Sequence, residues 1–493
     1  MKHSYILGTD IGTGSTKTVA VDVSGKVLCS SQKYYPTQSP KPGYSEQDPN
    51  EIFTALVQSI KETVLKMGSA PEALSLSSAM HGLIAVDEIC SPLTNLILWS
   101  DSRSHAIADS IKNSTQGKSI YEATGTPVHS MSPLSKIIWL KEEMPGVFQK
   151  THKFISIKEY IWYQLFEEFE IDHSIASATG LFNIEDLHWN EESLTLADIT
   201  KEQLSQPVPT NYIRKDIDEE MASLLGIPVS TPFCIGASDG CLANLGTNSL
   251  DVGTAAITIG TSGAVRVART SPLKNYTGMC FNYLLDETIF ICGGPVNNGG
   301  SAVQWLLKNF LLQEGKDEDY DLLFHRIENV HAGSDGLIFL PYIYGERAPV
   351  WDEESCGVFF GIKSHHTRDH FSRAVLEGVC FALKDVLCNV EASDQPVNQI
   401  NASGGFIQSP VWVQLLADVT GKKICIQQTE DASAIGAAWL CLKAMNVITS
   451  YNSLSQKDGT IIHPQKQAGD VYEKNYTVFK RLYPALKTSM HLL

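Results

Sequence analysis

The sequence predicts an α/β protein of two domains, on three observations. The chain has 493 residues, and single hydrophobic cores stop growing at roughly 250–300 residues, so two cores are the natural solution. It opens on a strand–turn–strand pattern, "YILGTDIGTGSTKTVAVD". A second pattern of the same kind, "AAITIGTSGAVRVAR" at 255–269, repeats Ile11-Gly12-Thr13 as Ile259-Gly260-Thr261. Two such units half a chain apart suggest duplicated domains with a nucleotide held between them. Taken singly, each hairpin is equally compatible with an ordinary glycine turn. The break is expected within 246–252, where "GTNSLDVGT" interrupts, giving domains 1–247 and 248–493.

The elements follow in order. Ser4–Ile11, Thr18–Asp22 and Val27–Gln32 read as a meander, with "DVSGK" as a turn. Prolines and glycine keep 34–48 irregular. Asp48 then caps a helix with Pro49 at its first position and Glu51 in its first turn. Ile52, Leu56, Ile60 and Val64 form its apolar stripe. Leu74–Met80, Leu96–Trp99 and Pro232–Ile235 read as strands, and Ser132–Glu143 and Gly240–Leu245 as helices. In the second half, Arg373–Val390 is apolar on most faces and reads as a buried helix. A helix starting at Ser409-Pro410 ends at Gly421. The small residues of 432–438 suit close approach to backbone or ligand.

Composition excludes several function classes. Lys+Arg of 38 against Asp+Glu of 55 gives a net charge of −17, which argues against a nucleic-acid or anionic-membrane surface. A local pocket can still take a small anion. The 11 cysteines are scattered with no C-x-x-C, as expected of reduced thiols in a cytoplasmic protein and not of a disulfide frame or zinc site. No run approaches the roughly 18 apolar residues of a membrane span, and the N-terminus has no signal-peptide pattern.

The opening loop has the makings of a phosphate site. It is not a Walker A motif, because Lys17 follows Thr16 with no Gly-Lys-Ser/Thr. It is not a dinucleotide fingerprint, because strand follows it and no third glycine is in place. A hairpin loop remains, in which backbone amides and the Thr13 and Ser15 hydroxyls cradle phosphate oxygens. An acid beside phosphate requires a bridging cation, so Asp10 is a candidate Mg²⁺ partner, through water. In "GASDGCLANLG", a strand delivers Asp239 into small residues. It could take a proton from a substrate hydroxyl during phosphoryl transfer, or simply cap the helix that follows. Glycine loops at 293–300 and 401–405 allow backbone to approach a ligand. "SAMHG" and "LWSDSRS" place His81, Asp101 and Arg103 beside apolar strands, either to bind sugar hydroxyls or as buried structural polar groups.

These motifs, in this order, resemble the FGGY carbohydrate kinases. "MSPLSKIIWLKEE", with Lys136 and Trp139, looks like the family's first signature, and "GIKSHHTRDHFSRAVLEG" is similar to its second. "DIGTGSTK", "MHG", "W-x-D-x-R", "GASDG", "GTSG" and "GG…SPVWVQLLAD" extend the resemblance over nearly the whole chain. It implies the actin-like ATPase, ribonuclease H-like fold, two domains around a central cleft, with sugar on the first and ATP on the second. It implies Asp239 as catalytic base and, with Asp10, as the Mg²⁺ side of the site. Thr13, Gly14, Ser15 and Lys17 would lie near the phosphates. Gly260 and Thr261 would form a second phosphate loop. Asn297, Gly300, Gly404 and Gly405 would face the nucleotide, and Met80 and His81 the sugar.

Within the family, "SAMHGLIAVD", "ATGTPVHSMSPLSKIIWLK", "FISIKEYIWYQLF", "IDHSIASATGLFNI" and "LPYIYGERAPVWD" resemble most the bacterial gluconate kinases. The Arg-Glu pair of glycerol kinases is absent. Gluconate is an anion, so a cation should read its carboxylate. Arg347 and Arg103 are the candidates, with Lys158 behind them. Gly82 departs from the serine of many gluconate kinases and matches xylulose kinases, so a ketopentose or another polyol stays open. An actin-like ATPase acting without sugar, or an inactive sugar sensor, fits less well with the retained Asp10 and Asp239. The expected partner is a small sugar or sugar acid, with no nucleic acid or membrane. Homodimerisation stays open.

Overall fold

The computed structural model describes residues 4–391, 395–426, 431–454 and 459–493. The chain forms two compact units that are discontinuous in sequence. One comprises Met1–Asn248, Arg269–Ile291 and Asp431–Gln456; the other comprises Ser249–Ala268, Cys292–Glu430 and Lys457–Leu493. One change of unit falls at 248/249, and two segments of the second half, Arg269–Ile291 and Asp431–Gln456, belong to the first unit.

In the first unit, Tyr5–Ile11 pairs antiparallel with Ser15–Asp22, which pairs antiparallel with Val27–Tyr34. On its other edge Tyr5–Ile11 runs parallel to Ala73–Ser78, and that strand parallel to Phe233–Ser238. The sheet order is therefore 27–34, 15–22, 5–11, 73–78, 233–238, closed by the short antiparallel strand Ile213–Arg214. The helix Pro49–Met67 packs on this sheet. Asp48 accepts from the Asn50 N–H, Pro49 starts the helix, and Gly68 ends it in left-handed conformation. Its predicted stripe Ile52, Leu56, Ile60 and Val64 is buried, about 1.5–3 kcal/mol for each side chain.

The small residues of 432–444 serve backbone packing. A Cβ on Gly8 would lie 1.8 Å from the Ala434 carbonyl oxygen, and one on Gly436 would lie 2.1 Å from the Leu242 oxygen. The helix Ala432–Ala444 thus lies directly on the first strand and on the helix Asp239–Gly246.

The second unit repeats the plan. Thr254–Ile259 pairs antiparallel with Gly263–Arg269 and parallel with Gln399–Ser403, which runs parallel to Lys423–Ile426. The order is 289–296, 263–269, 254–259, 399–403, 423–426, closed by antiparallel Thr460–Ile462. The buried helix extends over Arg368–Glu391, longer than its apolar stretch. Ser409 caps Pro410–Thr420 through the Trp412 N–H, and Gly421 ends it. The 11 cysteines are free thiols, and no described helix is long and apolar enough to cross a membrane.

Candidate functional site

The acids of the first unit lie at the carboxyl ends of its parallel strands, where open α/β sheets place ligands. Asp10 is the penultimate residue of its strand, in register with Ser77, whose hydroxyl donates to Asp10 Oδ1 at 2.6 Å. Burial, then the charge of Asp239, pushes the Asp10 carboxyl up to about 7. Asp239 begins the helix Asp239–Gly246 as its first residue, with Ser238 in the capping position. Its Oδ1 accepts from the Gly240 N–H at 2.6 Å, and its carbonyl oxygen accepts from the Ser433 hydroxyl at 3.1 Å. Two mutually repelling carboxylates at one sheet edge form a hard oxygen donor set that a divalent cation would relieve, so the residues fit Mg²⁺.

The loop beside them is braced from behind. Gly12 N–H donates to the Ser15 carbonyl at 3.0 Å, Gln47 to the Thr13 carbonyl at 2.5 Å and Trp99 to the Thr13 hydroxyl at 3.0 Å. Gln32 donates to the Ser15 hydroxyl at 2.8 Å. Lys17 forms an ion pair with Asp431.

The strand expected to reach Met80 ends at Ser78, because His81 turns the chain with φ +66°. Lys136, fully buried, donates to the carbonyls of His81 at 2.6 Å and Leu98 at 2.7 Å. Burial pushes its ammonium down to about 7. His81 Nδ1 faces the Ala178 carbonyl at 2.7 Å and must donate to it, so Nε2 receives the Tyr283 hydroxyl at 2.9 Å. Met80 is half-buried at the same turn.

The three candidate cations differ. Arg103 grips Asp101 at 2.8 and 2.7 Å and Glu46 at 2.6 Å, and stacks 3.8 Å over Tyr44. Lys158 pairs with Asp172 at 2.8 Å inside the core. Arg347, in the second unit, donates to Asn297 Oδ1 at 2.7 Å and to the Val296 carbonyl at 3.3 Å.

The second unit holds a cavity of about 570 Å³, well within the range of ligand sites. Gly260, Thr261, Gly300 and Gly405 line one part of it, and Tyr320, Phe324 and Trp412 line another. The Phe324 and Trp412 rings are 6.2 Å apart. Amide-rich backbone suits phosphates and the aromatic walls suit a purine. Gly404 has φ +98°, and a Cβ there would lie 2.4 Å from the Ile259 carbonyl oxygen.

The structure thus gathers Asp10, Asp239 and the 12–17 loop in one unit, and Gly260, Thr261, Asn297, Gly300, Gly404 and Gly405 in the other. Ser77, Tyr283, Glu346, Tyr320, Phe324 and Trp412 are not singled out as site residues by the sequence. Ser77 was accessible in principle through strand register. Tyr283, Tyr320 and Phe324 lie on segments with no motif, while Trp412 lies within the "SPVWVQLLAD" stretch without being singled out there.

Residues 5–246 match the N-terminal domain, and 255–445 the C-terminal domain, of the FGGY family of carbohydrate kinases. The chain is 41% identical to a gluconokinase of Bacillus licheniformis, over 98% of this chain and 96% of that relative. Two crystal structures from Lactobacillus acidophilus, a gluconate kinase and a ligand-bound xylulose kinase, each superpose with TM-score 0.94 at 34% identity, covering 99% of both chains.

Proposed function

The chain belongs to the FGGY family of carbohydrate kinases, and on that premise we propose that it phosphorylates D-gluconate at its terminal hydroxyl, giving 6-phospho-D-gluconate and ADP. It has the family's actin-like ATPase fold and is a phosphotransferase with an alcohol acceptor and ATP as phosphoryl donor. The observation that carries gluconate is the 41% identity with the gluconokinase over almost the full length of both chains. Xylulose is the second reading, favoured by Gly82 and by the Lactobacillus acidophilus xylulose kinase structure.

In this reading Asp239 is the base. It draws the proton from the sugar hydroxyl as that oxygen attacks the γ-phosphorus in line, and ADP leaves. Asp10 and Asp239 would hold Mg²⁺, largely through water, and the cation would supply charge neutralisation for the triphosphate. Ser77 orients the Asp10 carboxylate toward that role. Thr13, Gly14, Ser15 and Lys17 are the proposed phosphate contacts of their loop, and Gly260, Thr261, Asn297, Gly300, Gly404 and Gly405 are the proposed ATP contacts. Met80 and His81 form the sugar wall, with Lys136 and Tyr283 fixing the turn and the ring.

Gluconate is an anion, so a cation is expected at its carboxylate, and Arg347 and Arg103 are the proposed readers. The free thiols suit a reducing compartment, so the cytoplasm is the proposed location.

A panel of sugars with ADP release as readout tests the proposal. D-Gluconate should give kcat/KM at least about a hundredfold above D-xylulose, the size expected when a charged pair is made or left unmade. In the same panel Arg347→Ala should raise KM for gluconate and leave any xylulose activity unchanged. Equal or greater turnover of xylulose would transfer the assignment to the second reading.

A further inference from the structure

Glu346 is a fully buried carboxylate with no part in the chemistry above. All its hydrogen bonds come from donors around one turn. Its Oε1 accepts from the Asn297 N–H at 2.5 Å and the Arg347 N–H at 2.9 Å, and its Oε2 accepts from Asn298 Nδ2 at 3.1 Å. Neighbours complete the grip on the same two asparagines. Asn298 Nδ2 also donates to the Gly345 carbonyl at 2.8 Å, Asn298 Oδ1 accepts from the Tyr344 N–H at 3.2 Å, and Asn297 Nδ2 donates to the Tyr344 carbonyl at 3.1 Å.

The residues that follow lie on the second hairpin loop. Gly299 N–H donates to the Thr261 carbonyl at 3.2 Å, Gly300 N–H to the Gly260 carbonyl at 2.7 Å and Ser301 N–H to the Thr261 carbonyl at 3.0 Å. A continuous set of contacts therefore runs from Glu346 through Asn297 and Asn298 to Gly260 and Thr261, which line the cavity.

We infer that Glu346 is a positioning residue, whose carboxylate holds the 297–301 turn against the 260–262 loop and so sets the affinity for ATP without taking part in phosphoryl transfer. This rests on reading the cavity as the ATP site. A buried ionised carboxylate is costly, and an apolar side chain would fill the space more cheaply unless the donors needed aligning.

Its protonation state has a direct consequence. Burial pushes the Glu346 carboxyl up to about 7, against the opposing pull of its three donors and the Arg347 guanidinium. Tyr342 also faces it, itself held neutral by burial and by Glu346, Asp385 and Tyr483. The Asp352 backbone pairs with the Glu346 backbone at 2.9 Å in both directions. Each of the three hydrogen bonds to the carboxyl is one it accepts, so a proton on it weakens that grip, and the turn loosens as pH falls through about 7. For stability the sign is opposite. An acid whose folded pKa is raised binds protons more readily when folded, so its contribution falls as pH rises from the ordinary Glu value through 7.

The test measures KM for ATP and for gluconate, separately, for wild type and Glu346→Gln between pH 6 and 8.5, with thermal unfolding alongside. Gln keeps the shape and puts an NH₂ among donors. ATP itself titrates in this range, so the readout is the ratio of variant to wild type. The ratio for ATP should be about ten at pH 8.5, the scale of a misplaced binding group, and fall toward one at pH 6. The ratio for gluconate and kcat should stay within about twofold, and Tm at pH 8.5 should be unchanged or higher. A ratio near one for ATP at pH 8.5, or an equal rise for both substrates, overturns the inference. Absence of saturable ATP-dependent turnover in wild type would instead overturn the ATP reading itself.

Discussion

The two hairpins at the hearts of the two units share a topology and differ, among other positions, where Asp10 stands in the first and Thr258 in the second. In the first, Asp10 stands opposite Ser77 across a parallel pair, and in the second Thr258 stands opposite Ser403. Each pair is hydrogen-bonded, at 2.6 Å from Ser77 to Asp10 and 2.9 Å between Thr258 and Ser403. The first glycine after each strand donates back across its loop, Gly12 to Ser15 at 3.0 Å and Gly260 to Ser262 at 2.9 Å. The same scaffold thus presents a carboxylate in one copy and a hydroxyl in the other. Asp10 has a second acid beside it in Asp239, so that copy builds a charged centre fit for a cation and a proton acceptor. The neutral copy borders an aromatic-walled cavity and a glycine-rich turn. The two copies share a backbone plan, and the carboxylate of Asp10 is one of the side chains that distinguish them.

Ways to break this comparison rank by size. Replacing the proposed base should have the largest effect: Asp239→Asn should lower kcat by about a thousandfold or more while circular dichroism stays that of wild type. Making the first hairpin resemble the second comes next. Asp10→Thr should lower kcat by about a hundredfold and raise the Mg²⁺ concentration needed for half activity, read from metal titrations of the steady-state rate. Disturbing the binding copy should be milder. Gly404→Ala forces a Cβ onto the Ile259 carbonyl at φ +98°, costing about 1–3 kcal/mol in chemical denaturation. It should raise KM for ATP about tenfold with kcat nearly unchanged, because the displaced group binds and does not react. A kcat loss in Gly404→Ala as deep as that of Asp10→Thr would erase the distinction between the copies.

Much of this was legible in the sequence because it depends on local chemistry. The Gly12 and Gly260 echo marked both hairpins, since a tight loop between antiparallel strands demands that composition. Pro49, Pro410 and Gly421 bounded their helices through their own backbone preferences. Asp10 drew attention as an acid beside a glycine loop, and Asp239 as an acid that a strand delivers among small residues, with a helix cap as its other reading. What escaped depends on long-range register. The return of 431–456 to the first unit carries no motif; its small residues left backbone and ligand equally open until Gly436 met the Leu242 carbonyl. Arg103 stood out as a cation, but its pairing with Glu46 joins residues 57 apart. Tyr283 reaches His81 across 202 residues, and Glu346 stood unremarked beside Arg347 because only the fold brings Asn297 and Asn298 to it.

The division between a reacting copy and a binding copy is tested most directly on a single protein, Asp239→Asn, by measuring ATP binding and gluconate-dependent ADP release together. The account predicts a dissociation constant for ATP within about twofold of wild type while turnover falls about a thousandfold. Turnover near that of wild type, or ATP binding lost in step with turnover, would contradict it.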